Sequence, residues 1–241
     1  MRKFVGYASN GEFSVGCTGG TVWLYDKQGK ELRKFKDITY GYTPMISPDG
    51  KIFVVKSTVG LLAVYSLESL SLLKKFRFSK VSGSQNDGFC FSPDGKLFLN
   101  VERQRDSLHS AISVYDTTDF SLADQILFDE DMMISCIEYD RAVGTYYVLG
   151  FARDMKTRVI DHGFIAEFAN RQLKNMVSFP SREKFIYHDY KHLEIMGFTE
   201  MVYELSSWLK ENLEGDLDKL KSMDFSLAKL HKQHSENGTA E

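Results

Sequence analysis

Ser47-Pro48-Asp49-Gly50-Lys51-Ile52-Phe53-Val54-Val55 has a second copy 45 residues on, Ser92-Pro93-Asp94-Gly95-Lys96-Leu97-Phe98-Leu99-Asn100-Val101. Each copy is a tight turn followed by a β-rich run. Pro at the second turn position pre-sets φ, Asp tolerates the third, and Gly at the fourth takes the left-handed conformation that lets two strands leave antiparallel. Apolar residues lead into both turns, Met45-Ile46 and Phe89-Cys90-Phe91. A further strand ends in an aromatic each time, at Ala63-Val64-Tyr65 and Ile112-Ser113-Val114-Tyr115-Asp116. Internal repetition decides architecture before any single residue does.

Working outward, a degenerate copy opens the chain: Tyr7-Ala8-Ser9-Asn10-Gly11, Phe13–Cys17, then Gly20-Thr21-Val22-Trp23-Leu24-Tyr25-Asp26. A fourth runs through Ile134–Asp140, Tyr146–Phe151 and Gly163–Phe168. The turn serines Ser9, Ser47 and Ser92 are spaced by 38 and 45 residues, which fits a repeat of four short strands. The repeats are expected over about 2–36, 40–79, 86–128 and 132–179.

On these residues the chain resembles the WD-repeat β-propellers, in the divergent form common in bacterial sequences. The motifs are the two Ser-Pro-Asp-Gly-Lys turns, Gly20–Asp26 and Ser113-Val114-Tyr115-Asp116, where Tyr stands in place of the family's third-strand Trp. No Gly-His dipeptide precedes any repeat, so the family's Asp-His-Ser/Thr-Trp hydrogen-bond network is not expected here. The resemblance covers about residues 1–180 and implies a mostly β fold of four-stranded blades. It says little about function, because propellers host many activities.

The 43% apolar share, with 13% aromatics, is enough to bury several blade interfaces. No apolar run approaches the roughly 18 residues of a membrane span, and Phe4–Ala8 is too short for a signal-peptide core. Cys17, Cys90 and Cys136 lie in expected strands without metal-site spacing, so they read as reduced, buried hydrophobes of a cytoplasmic protein. The net charge of −3 is unevenly spread: residues 1–80 carry +7 and residues 81–241 carry −10. Lys30, Arg33, Lys34, Lys36, Lys74, Lys75, Arg77 and Lys80 fall on or beside expected fourth strands. Charge there discourages edge pairing; the sharper reading is a partner surface. The acidic half speaks against nucleic acid.

Seven blades at the usual period need roughly 280–315 residues, more than the chain has. Residues 183–198 suggest a fifth, partial blade, making a β region over 1–198. From Thr199 the pattern turns helical: Met201, Val202, Leu205, Trp208, Leu209 and Leu213 share one face. A second helix carries Leu217, Leu220, Met223, Leu227 and Leu230. This C-terminal α-helical segment, 199–234, is expected to pack on the propeller, with a disordered tail at 235–241. The helices or a free blade edge could also support self-association. A membrane-surface role does not suit their Glu-rich polar face.

Catalytic motifs are weak. His188 and His192 have the spacing of a zinc-protease helix, but Asp189 stands where the Glu base belongs, and the flanking residues read as strands. No metal or other cofactor is expected. The long loops that share one side of a propeller offer Tyr40, Tyr42, Arg103, Arg105, His109, Arg153, Lys156 and Arg158, and Tyr and Arg are favoured interface anchors. The favoured reading is therefore a non-catalytic scaffold that binds a protein or peptide on this face. The alternative is a propeller hydrolase or small-ligand enzyme with its site at the central channel. The inner first-strand positions Ala8, Ile46 and Phe91 lack the acids such a site needs and only Glu138 in the fourth repeat departs, which favours binding.

Overall fold

The computed structural model describes residues 3–79, 88–103, 109–140, 144–154, 156–157 and 160–180. The partial fifth blade, the C-terminal helices and the tail all lie outside the described residues. The described strands are β1 (Gly6–Ser9), β2 (Phe13–Cys17), β3 (Val22–Asp26), β4 (Glu31–Phe35), β5 (Gly41–Ile46), β6 (Ile52–Ser57), β7 (Leu61–Ser66) and β8 (Ser71–Arg77). They continue as β9 (Phe89–Phe91), β10 (Leu97–Arg103), β11 (Ser110–Asp116), β12 (Ser121–Leu127), β13 (Met132–Asp140), β14 (Thr145–Arg153), β15 (Ile160–Ala169) and β16 (Gln172–Pro180). Each consecutive set of four forms one antiparallel sheet in sequence order. The repeat boundaries expected from the turn spacing hold within a few residues. The first three sheets belong to one compact unit, Met1–Leu127, and the fourth to a second that starts at Phe128.

The turn chemistry explains the entry to β6 and β10. Gly50 and Gly95 have φ of 68° and 71°, in the left-handed region where a side chain is costly. Ser47 Oγ donates to Asp49 Oδ1 at 2.6 Å, and Ser92 Oγ repeats the bond to Asp94 Oδ1 at 2.6 Å. The Lys51 and Lys96 amides then donate to the same aspartates at 3.1 Å. Ser, Asp and Gly therefore act as one unit that aims the second strand of its blade.

Period-two alternation gives each middle strand two buried faces. In the second sheet, Phe53, Val55, Ala63 and Tyr65 pack against Val15, Cys17, Val22, Leu24 and Phe35 of the first sheet. Val54, Leu62 and Val64 point the other way, against Phe89, Phe91, Phe98, Tyr115 and Phe120 of the third. Cys17 and Cys90 are both buried, and burial pushes the Cys17 thiol up to about 12, as expected of a small core residue. The Cys136 side chain lies outside the described residues.

The outer strands protect their edges geometrically. The register between third and fourth strands shifts at Leu24/Tyr25, Val64/Tyr65 and Val114/Tyr115, so β4, β8 and β12 each carry a bulge at the same place. Such bulges twist an edge away from intruding strands. The basic residues of β8 have specific bonds besides: Lys75 Nζ donates to Asp37 O at 2.9 Å, and Lys74 Nζ to Asp119 O at 2.5 Å and Phe120 O at 3.1 Å. One strand thus ties its blade to both neighbours.

Candidate functional site

The connections that follow β2, β4 and β6 converge at one end of the seam between the first two sheets. Gly19 and Gly41 exchange backbone hydrogen bonds, Gly19 N to Gly41 O at 3.2 Å and Gly41 N to Gly19 O at 3.0 Å. The Tyr42 ring lies over Gly19, so a Cβ there would come within 2.6 Å of it. Gly19, with φ of 84°, is thus required twice. Beside this clasp, Tyr40 has φ of 54°, an uncommon conformation for an aromatic residue. Its carbonyl accepts from Thr58 N at 3.1 Å, and the carbonyl of Thr39 accepts from Ser57 Oγ at 2.7 Å. The backbone is pinned while the Tyr40 side chain is 57% exposed.

The other expected loop residues have separate settings. Arg103 closes β10 and His109 precedes β11; both are half-buried. Ser79 Oγ donates to Arg103 O at 2.9 Å, fixing the end of β10 to the β8–β9 connection. In the second unit, Arg153 is committed to its own fold: Nε and Nη2 donate to Glu130 O at 3.0 and 2.7 Å. Lys156 is exposed and its amide donates to Asp154 Oδ1 at 2.8 Å. Arg105 and Arg158 lie outside the described residues. The structure therefore brings Tyr40 and Tyr42 together, sets Arg103 at the end of β10 and His109 just before β11, and uses Arg153 as a brace.

A second set of polar residues lies inside the seam between the second and third sheets. Lys56, Asn100, Glu102 and Ser113 are all at most 1% exposed. Tyr115 Oη donates to Glu102 Oε1 at 2.6 Å, and Asn100 Nδ2 donates to the same oxygen at 2.9 Å. Gln125 Nε2 donates to Ser113 Oγ at 2.9 Å, and Ser113 also hydrogen-bonds Glu102. From the facing sheet, Lys56 Nζ donates to Val101 O at 2.6 Å and lies 5.2 and 5.7 Å from the ring centroids of Phe78 and Phe89. Tyr65, the counterpart of Tyr115 one blade earlier, stacks on Phe53 at 4.7 Å and its hydroxyl finds no partner among the described residues. The same repeat position is packed on an aromatic ring at one seam and hydrogen-bonded at the next.

Sequence reasoning passed over this cluster because each member sits inside an apolar run. The signal that could have found it is parity. Asn100 and Glu102 alternate with Leu99 and Val101 and share the face of Phe98; Lys56 shares the face of Val54.

Burial is the largest influence on Glu102 and holds its carboxyl above the ordinary 4.5, although hydrogen bonds from Tyr115, Ser113 and Asn100 and the charge of Lys56 oppose this. The folded chain then keeps a proton that the unfolded chain releases, so this contribution to stability is complete below about pH 4.5 and fades as pH rises through the raised value. Asp49 runs the other way. The Ser47 hydroxyl, its largest influence, lowers it from 3.8, so its contribution is present above that pH and lost on acidification. Denaturation midpoints across a pH series should fall on the neutral side for the wild type. Glu102→Gln should flatten that limb and leave the acid limb in place; an unchanged neutral limb would assign it to another group.

Among the described residues no group of three or more His, Cys, Asp and Glu could hold a metal, and no helix is long and apolar enough to cross a membrane. No protein-family model matches the chain, and no curated protein matches it. Solved structures do. Hydrazine synthase of Kuenenia stuttgartiensis aligns with a TM-score of 0.57 at 17% identity, over 73% of this chain and 53% of that one. The WD40 domain of Toxoplasma gondii coronin aligns with a TM-score of 0.54 at 14% identity, over 73% and 45%. Dihydro-heme d1 dehydrogenase NirN, in complex with DHE, aligns with a TM-score of 0.51 at 16% identity, over 73% and 36%. This chain thus spans about half or less of the length of each of these three structures. At such identities the likeness is one of fold: the described chain is built of β-propeller-type blades like those of WD-repeat proteins.

Proposed function

We propose that the chain is a non-catalytic interaction module that binds a protein or peptide on the loop face of its blades. Fold alone does not choose, since the similar structures include proteins named as enzymes and a WD40 domain. The observation that carries the reading is Tyr40. It is a 57% exposed aromatic held in a left-handed conformation, on a backbone fixed to Thr58 and flanked by the Gly19–Gly41 clasp. A rigid aromatic loses little conformational freedom when a partner covers it, which is why Tyr is frequent among interface anchors. Tyr42 supports its base through the contact with Gly19, and Arg103 and His109 extend the polar rim.

Tyr40→Ala tests this. Proteins cross-linked to the wild-type chain in cells of its source, identified by mass spectrometry, define the partner. The variant should bind that partner at least about tenfold more weakly, the scale of an interface hot spot, with an unchanged melting temperature because the ring is exposed. Equal binding by the variant, or turnover of a small substrate by the purified chain, would overturn the proposal.

A further inference from the structure

The seam between the second and third sheets holds an amine, a carboxamide and a carboxyl sealed from water together. Lys56 and Asn100 are 0% exposed and Glu102 is 1% exposed. Asn100 Nδ2 donates to Glu102 Oε1 at 2.9 Å, while Asn100 Oδ1 has no hydrogen-bond partner among the described residues. Lys56 Nζ reaches across from β6 and stops 2.6 Å from the carbonyl oxygen of Val101, the residue next to Asn100. It also lies 5.7 Å from the ring of Phe89, which pairs with Asn100 across β9 and β10. Phe78, Phe89, Phe98 and Tyr115 wall the site.

An amine and a carboxamide do not react in water for three reasons. The amine is protonated, the groups rarely meet, and ammonia leaves only when its nitrogen is protonated. The seam addresses each. Low dielectric favours proton transfer from the Lys56 ammonium to the Glu102 carboxylate, because two buried charges become a neutral pair. Folding holds the Lys56 amine 2.6 Å from the carbonyl oxygen of the residue next to Asn100, replacing a bimolecular encounter. Glu102 already touches the nitrogen that must leave.

We propose that Lys56 and Asn100 join autocatalytically in an isopeptide bond across the seam, with Glu102 carrying the proton. Lys56 Nζ, neutral after giving a proton to Glu102, attacks Asn100 Cγ, and the Nζ–Cγ bond forms. Glu102 accepts the remaining proton that the attacking nitrogen sheds and supplies protons to Nδ2. The Cγ–Nδ2 bond then breaks. Counted from the ammonium form of Lys56, one ammonium ion leaves, Glu102 ends as it began, and neither an oxidant nor a cofactor takes part. Burial, which holds the Glu102 carboxyl above its ordinary range, keeps the proton where the leaving nitrogen needs it. The bond would staple β6 to β10 and make the second and third blades covalently one body.

The intact mass of the purified full-length chain decides the matter. It should fall short of the sequence mass by one ammonia, and proteolysis should yield a branched peptide containing both Lys56 and Asn100. Lys56→Met and Glu102→Gln should each restore the sequence mass. A wild-type chain of full mass, with the two peptides recovered separately, would overturn the proposal whatever the variants do. So would a deficit that maps to Asn10-Gly11 or Asn237-Gly238, where ordinary succinimide formation also loses ammonia.

Discussion

Phe98→Ala should destabilise the chain by about 3–5 kcal/mol, the range for removing a buried aromatic. Phe98 is 0% exposed and is the hub of its seam. Its ring lies 5.3 Å from Phe89, 5.1 Å from Phe91, 5.8 Å from Phe120 and 6.5 Å from Tyr115, centroid to centroid. Tilted and edge-on aromatic pairs add to plain burial, so four ring contacts are lost with one side chain. Collapse into the cavity is hindered, because Phe89 and Phe91 are fixed on β9 and Tyr115 is tethered to Glu102. The value therefore belongs in the upper half of the range. Chemical denaturation with an unchanged m-value is the measurement. A loss below about 1.5 kcal/mol, the scale of a tolerated volume-conserving core change, would mean that the seam repacks freely and is not the rigid joint described here.

Phe98 also marks what the sequence made legible. It stands six residues after Ser92, as Phe53 stands six after Ser47, and this repetition alone predicts that both begin a buried strand face. The turns, the four-strand period and the blade boundaries follow from such local signals. The partners of each face did not. Val54 and Val55 look alike in sequence, yet one packs toward the third sheet and the other toward the first. Nothing local distinguishes them, since long-range packing decides. The positively charged β8 was read as edge protection or a docking patch, whereas Lys74 and Lys75 bond neighbouring carbonyls; a lysine's target sits many residues away. Tyr40 was singled out from its loop position, but its left-handed backbone was not, because that conformation comes from the tertiary bond between Tyr40 O and Thr58 N.

Lys56→Met should cost about 1–3 kcal/mol, the scale of leaving a buried acceptor without its donor. Met keeps the aliphatic volume against Phe78 and Phe89 but leaves Val101 O without its donor and Glu102 without the nearby positive charge. Glu102→Gln keeps shape and can still accept from Tyr115 and Asn100, yet it removes the carboxyl that interacts electrostatically with Lys56. Each single change therefore leaves the remaining polar group in an apolar surround with one interaction fewer, which is where most of the loss arises. The double variant removes both groups together and retains the hydrogen bonds among Tyr115, Ser113 and Gln125. It should be more stable than the sum of the single losses predicts, by about 1–3 kcal/mol of coupling. Additive losses would show that Lys56 and Glu102 act independently and that the seam holds a lysine tether and a separate acid network, not one coupled site. The sign of the coupling matters more than its size, because a covalent link from Lys56 that needs Glu102 predicts the same sign: either single change already abolishes the link, so the second has less left to remove.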